Sequence, residues 1–332
     1  MPSIRRILVA IRALDAKSLP AVQKAAQIAR ACSAHIELYH GLDSPVYADL
    51  NGLADRGVHA LERDLQRRAL ERLEGIADPL RKLRIKVTVS AQWDFPAYEA
   101  IVRRALRVKA DLIVASGHAG RHRFAALLRL TDWELVRLSP MAVLLVKAPQ
   151  PYRHPVVLAA VDPSHAHAKP LQLDRQLLRW GQTLSHGLRG SLHAVHAYPR
   201  VRGDNLPEQG ITPALLNQIE QDAQRSAGSS FDRILRTTRI SRSRRYLIAR
   251  DPVDAIVQAA RRSGSAMVIM GAVSRSGLKR LLIGNTAERV LDQLSCDILV
   301  VKPPKFRNRV PRATRGARLQ PSLPSESLGN YY

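Results

Sequence analysis

Cysteine is nearly absent: Cys32 and Cys296 are the only two in 332 residues, too few and too far apart for a disulfide framework. Aromatic residues make up 5% of the chain, and no RNP-type aromatic motif, helix-turn-helix or KH loop is present, so base-reading modules are excluded. No apolar run approaches the 18 or more residues of a membrane-spanning helix. The opening MPSIRRILVAIRAL lacks the long apolar core of a signal peptide and reads as a first strand. Reduced, buried thiols and a cytoplasmic location are the expectation. Enzyme signatures are missing too. There is no G-x-S-x-G elbow, and no paired carboxylates stand at hydrolase spacing. His165, His167, His193 and His196 cluster in sequence without Cys or carboxylate partners at ligand spacing. His193 and His196 differ by three, which on a strand points them to opposite faces.

What the chain has is a repeat. ILVAI at Ile7–Ile11 recurs as VLAAV at Val157–Val161, and Ala100-Ile101-Val102 recurs as Ala255-Ile256-Val257. DLIVASG at Asp111–Gly117 recurs as AMVIMG at Ala266–Gly271, and AVLLVKAP at Ala142–Pro149 as DILVVKPP at Asp297–Pro304. A period of about 150 residues is a domain duplication, since solenoid units are far shorter. Apolar strand-like runs alternate with segments of helical spacing in each half. The first half reads as strands at 5–12, 35–40, 85–89, 111–115 and 142–146, with helices at 17–32, 53–83, 96–108 and 131–138. That alternation predicts parallel sheets with right-handed crossovers, an α/β class of two Rossmann-like doubly wound domains. The expected domains are 1–148 and 155–302. The proline-bearing APQPYRHP from Ala148 to Pro155 reads as the linker between them. Residues 303–332, rich in Pro, Ser and Arg, read as a basic disordered tail.

The most informative stretch is Met267–Lys302. An apolar strand ends at Met270-Gly271, and a small-residue loop follows through Ser274, Gly277 and Gly284. Helical spacing begins near Asn285 and Thr286, either a plausible N-cap, before a second apolar run at Ile298–Val301. In a parallel sheet such a loop lies at the strands' carboxyl edge beside a helix N-terminus, where free N–H groups suit phosphate. The spacing Gly271-x2-Ser274-x9-Gly284-Asn285, continuing into Thr-Ala-Glu-Arg-Val, resembles the G-x2-G-x9-G-[ST] motif of the universal stress protein family. The resemblance extends from Ile4 to Lys302, and two such units in one chain resemble its tandem, E-type members. It implies five-stranded sheets in the order 3-2-1-4-5 and a stress-response role through ligand binding and protein contacts. Two copies in one chain would form an internal pseudo-dimer.

The resemblance also places ATP or another adenine nucleotide, if any, in the second half. The residues it implies there are Asp162 after the first strand, Met270, Gly271, Ser274, Gly284, Asn285 and Thr286. Ser274 and Asn285 depart from the motif's second Gly and its hydroxyl. In the first half Arg12 replaces the Asp, and Gly117 and Gly120 are followed nine residues later by Leu130, where a side chain blocks a phosphate. The expectation is therefore two unequal halves. Both loops could equally serve only to turn a strand into a helix.

Charge is the other distinctive feature. Lys plus Arg is 52 against 28 Asp plus Glu, a net charge of +24. The excess is spread over both halves, and its densest block is Arg236–Arg250. There Arg236, Arg239, Arg242, Arg244, Arg245 and Arg250 occur without an acid. Either these are solvated surface residues or they form a polyanion-binding ridge that holds RNA or DNA through charge, without sequence readout. The combined expectation is a non-catalytic tandem stress protein. A basic nucleic-acid-associating protein and a weak ATPase are the alternatives.

Overall fold

A computed structural model describes residues 4–43, 46–48, 54–117, 125–163, 171–200, 212–272, 285–304, 306–317 and 319–321. The first half runs β1 (Arg6–Ala10), α1 (Pro20–Cys32), β2 (His35–Leu42), β3 (Val46–Ala48), α2 (Ala54–Lys82), β4 (Val87–Trp93), α3 (Ala97–Arg107), β5 (Leu112–Ser116), α4 (Ala125–Leu138) and β6 (Ala142–Val146). The second half repeats the plan as β7 (Val156–Ala160), α5 (Leu171–Gly187), β8 (Ser191–Tyr198), α6 (Pro213–Leu235), β9 (Arg245–Ala249), α7 (Pro252–Ser263), β10 (Met267–Gly271), α8 (Asn285–Gln293) and β11 (Asp297–Val301). A short strand, β12 (Leu319–Pro321), follows.

Local sequence explains these elements. The runs LIVAS, AVLLV, VVLAA and DILVV are almost wholly buried, as strands covered on both faces must be. Helix α7 shows how an end is set: the Asp251 side chain accepts from the Val253 N–H, and Pro252 occupies the first turn. Gly264, at φ 61°, closes its other end in the left-handed conformation. In α6 the Thr212 hydroxyl caps the Leu215 N–H.

The strands form one continuous ten-stranded sheet, in the order β4-β2-β1-β5-β6-β11-β10-β7-β8-β9. Within each half all pairs are parallel, and the order from the outer edge is the expected 3-2-1-4-5. The halves are not two separate sheets, however. They join through β6 and β11, which pair antiparallel with Val143 opposite Val300 and Leu145 opposite Ile298. Antiparallel pairing of equivalent edge strands relates the halves by a pseudo-two-fold axis. It also removes two exposed apolar edges that would otherwise invite aggregation.

A buried ionic cluster locks this seam. Asp297, at the start of β11, accepts from Lys24 Nζ of α1 at 2.5 Å and from the Tyr152 hydroxyl at 2.6 Å. Its other oxygen accepts from the Lys147 and Ala148 backbone N–H groups at 2.9 and 3.0 Å. The Lys24 and Asp297 side chains are 2% and 0% exposed. Lys24 also donates to the Ala148 carbonyl and lies 4.8 Å from the Tyr152 ring centroid. Burial, and then Asp297, push the Tyr152 hydroxyl well above its ordinary pKa. The segment read from sequence as a linker is thus fixed in place, with Tyr152 also exchanging two hydrogen bonds with Gln27. Cys32 and Cys296 are free thiols, and burial raises the pKa of both, Cys296 to about 11.

The described part of the segment after residue 302 differs from the disordered tail expected of its composition, and residues 322–332 of that expected tail lie outside the described residues. It leaves β11 beside α4, where Lys302 Nζ donates to the Arg137 carbonyl at 3.3 Å. Val310 is buried among the residues packed on the α3 and α7 face of the sheet. Arg315 forms an ion pair with Glu99 at 3.0 Å, and β12 pairs in parallel with β3. Composition misread it because two or three anchors suffice to order a Pro- and Arg-rich strand whose remaining side chains stay in water. Among the described residues, no helix is long and apolar enough to cross a membrane.

Candidate functional site

In a doubly wound sheet, ligands bind outside the carboxyl ends of the strands where the order reverses. In the second half that place lies between β7 and β10, which are adjacent and parallel with Val157 opposite Met267. Asp162 lies two residues beyond the end of β7, and Gly271 ends β10 beside Val301. Extending the register sets Asp162 level with Ala272, which is buried and donates its N–H to the Val301 carbonyl at 3.1 Å. Met270 is buried in the sheet, so its backbone shapes the floor. Asn285 and Thr286 open α8, which places the helix N-terminus at this edge. Ser274 and Gly284 lie outside the described residues, as do the side chains of Asn285 and Thr286. The described part thus sets Asp162, Met270 and Gly271 at the carboxyl edge of two adjacent strands, with α8 the next element after β10.

Asp174 is the residue that sequence reasoning missed. It sits in the first turn of α5, wholly buried, and its carboxylate accepts the Asp162 N–H at 3.1 Å. It thereby fixes the backbone from which the Asp162 side chain projects. A signal existed: Asp174 shares the i, i+3, i+4 face of the buried Leu177 and Leu178, and an acid on an apolar helix face is unusual.

The first half is built differently at the equivalent place. Arg12, after β1, is exposed. Helix α4 begins at Ala125, whereas sequence reading started it at Thr131. Position 130 is therefore helical and not part of a loop. At Thr131, the position aligned with Asn285, α4 is already under way, while residues 273–284 of the second half lie outside the described residues. Leu130 thus lies within a helix, where the sequence reading had it in a loop that a phosphate would approach.

The basic block also divides. Arg236, Arg239, Arg242 and Arg244 are exposed, with Arg242–Arg244 in a single 3-10 turn leading into the edge strand β9. Arg245 is not part of that surface. Its guanidinium donates to the Ile240 carbonyl at 2.7 and 3.0 Å and pairs with Asp232 at 2.7 Å, closing the turn from inside. His193 on β8 contacts the Tyr246 hydroxyl at 3.2 Å, and burial followed by Arg244 lowers its pKa. Among the described residues, no group of three or more His, Cys, Asp or Glu could hold a metal ion.

A model of the universal stress protein family matches residues 3–147 and again 156–302. Universal stress protein E of Escherichia coli K12 is 28% identical over 236 residues, covering 68% of this chain and 71% of that protein. The universal stress protein E homolog of Haemophilus influenzae is 29% identical over 223 residues, covering 64% and 69%. Among solved structures, a protein of unknown function from Pseudomonas aeruginosa PAO1 superposes with TM-score 0.64 at 24% identity, over 91% of this chain and 94% of that one. A universal stress protein from Archaeoglobus fulgidus superposes with TM-score 0.57 at 13% identity, over 89% and 98%. These two likenesses concern the fold.

Proposed function

The chain belongs to the universal stress protein family as a tandem member, and from that premise we propose a non-catalytic stress-response protein whose second half alone holds a small anionic ligand. An adenine nucleotide such as ATP is the ligand that fits best. The observation that carries this reading is the inequality of the two carboxyl edges. In the second half an acid stands after β7, a glycine ends β10, and α8 opens at Asn285, the position the family motif gives to its last residue. In the first half an arginine stands after β1 and the last helix begins at Ala125. Backbone amides at the start of α8 would receive phosphate. Asp162, positioned by Asp174, would accept from the ribose or base side. Occupancy would then set the shape that protein partners meet. Mass spectrometry of small molecules released from the purified full chain tests this: an adenine nucleotide at up to one per chain supports it, and none under any growth condition opposes it. Phosphate release that disappears in Asp162→Asn would instead establish an ATPase.

A second reading rests on the exposed arginines before β9. Arg236, Arg239, Arg242 and Arg244 form a cationic surface free of nearby acids in sequence, suited to loose association with RNA or DNA phosphates. Binding that weakens steeply with salt and ignores sequence would support it.

A further inference from the structure

We propose that the first half carries a peptide-binding seat at its carboxyl edge, specific for an extended, arginine-bearing segment and filled here by the chain's own residues 308–317 and 319–321. The seat is built on the junction of β4 and α3. Asp94 is 1% exposed and held by the buried Arg103, whose Nε and Nη2 reach its two oxygens at 2.7 Å each. Arg103 also donates to Glu99 at 2.8 Å and to the Phe95 carbonyl at 3.0 Å. This leaves a preorganised acidic corner with an aromatic ring beside it.

Arg315 fits that corner through three separate contacts. Its backbone N–H donates to Asp94 Oδ1 at 3.0 Å, and its guanidinium donates to Glu99 at 3.0 Å. The guanidinium also lies 5.7 Å from the Phe95 ring centroid, within cation–π range. Five residues earlier Val310 is 4% exposed and serves as an apolar anchor. Asn308 shapes the chain there, accepting from the Val310 N–H and donating to its carbonyl, both at 3.1 Å. Between the anchors the Pro311 carbonyl faces Arg103 Nη1 at 3.5 Å. Beyond them β12 adds to β3, which follows β2 at the same carboxyl edge.

The path has a direction. Because β11 runs antiparallel to β6, the segment starts at the amino edge of the first half and climbs α3 backwards, from Arg103 to Glu99, to the carboxyl edge. It ends at β3, which follows β2. Among the described residues the second half shows no such corner: its counterpart Asp251 is half exposed, caps α7 and lies 3.7 Å from Arg289. The half that has Arg12 where the other has Asp162 is thus the one that receives peptide.

Hydrogen exchange on the full chain tests this. In the wild type, amides of 308–317 should exchange at least about tenfold more slowly than in the free peptide, a factor that corresponds to about 1.4 kcal/mol. Arg315→Ala should erase most of that protection and leave β1, β5 and β10 unchanged, whereas Arg309→Ala, at an exposed position, should not. A labelled synthetic peptide of residues 306–321 should bind the full-length Arg315→Ala chain saturably but not the wild type, whose seat is filled at high effective concentration. Free-peptide exchange rates in the wild type would overturn the proposal. So would equal peptide binding by both proteins, or protection in the wild type that vanishes on dilution, which would show the seat filled by a second copy.

Discussion

Replacing Asp297 by Ala perturbs the seam at its most connected atom pair. The carboxylate receives four hydrogen bonds, two from side chains and two from backbone N–H groups. Without it the Lys24 ammonium stays buried with the Ala148 carbonyl and the face of Tyr152. Leaving one charge of a buried pair uncompensated costs about 3–5 kcal/mol, a large part of an ordinary folding free energy of about 5–15 kcal/mol. Lys24→Met should cost less, near the lower bound, because Asp297 keeps its three other donors. The cluster joins α1, the linker and β11, so Asp297→Ala should also loosen the halves and broaden unfolding. Urea denaturation followed by far-ultraviolet circular dichroism and by tryptophan fluorescence reads both effects. A Lys24→Met, Asp297→Ala double variant completes a cycle whose coupling should be about 1–3 kcal/mol. Single losses below about 1 kcal/mol, or effects that simply add, would refute the claim that this pair fastens the halves.

Burial lowers the Lys302 pKa to about 8. A cation whose folded pKa lies below its unfolded value opposes folding at neutral pH, and that opposition fades as pH rises from about 8 to 10.5. Lys302→Met should therefore stabilise the protein at pH 7, by at most about 3 kcal/mol, and the difference from wild type in thermal melts should shrink towards pH 10.5; a constant difference would contradict this. Gly190 has the Pro155 carbonyl 2.0 Å from where a Cβ would stand, so Gly190→Ala should lower the urea midpoint sharply, whereas Gly264→Ala, limited to its φ of 61°, should cost about 1 kcal/mol. Arg242→Ala with Arg244→Ala should flatten the salt dependence of RNA and DNA binding by about two phosphates' worth without altering stability. Arg245→Ala should do the reverse, destabilising the turn that its guanidinium closes.

Much of this molecule could be read from its residues, for identifiable reasons. Runs such as AVLLV and DILVV are apolar throughout because strands buried on both faces leave no polar alternation. The repeat then supplied the strand order through the family it resembles. The same runs did not disclose that β6 and β11 would pair with each other, since pairing depends on which edges meet in space. The early start of α4 was hidden because RHRFAALLRL was aligned to a loop motif, although its apolar spacing suits a helix. Asp162, Met270 and Gly271 were singled out through the family resemblance, while Asp174 acts through a hydrogen bond to Asp162 that spacing does not encode. The seat for Arg315 joins Asp94, Glu99 and Arg315 across 221 positions of sequence, with contacts no local pattern reveals.

The account's central claim is that the halves are unequal and that the second holds the ligand. Isothermal titration of the full chain with ATP, beside the Gly284→Leu variant, tests it most directly. The account predicts one site per chain in the wild type, and at least a tenfold loss of affinity in Gly284→Leu, because a side chain there would keep phosphate from the amides at the start of α8. Two sites per chain, or an affinity that Gly284→Leu leaves unchanged, would contradict it.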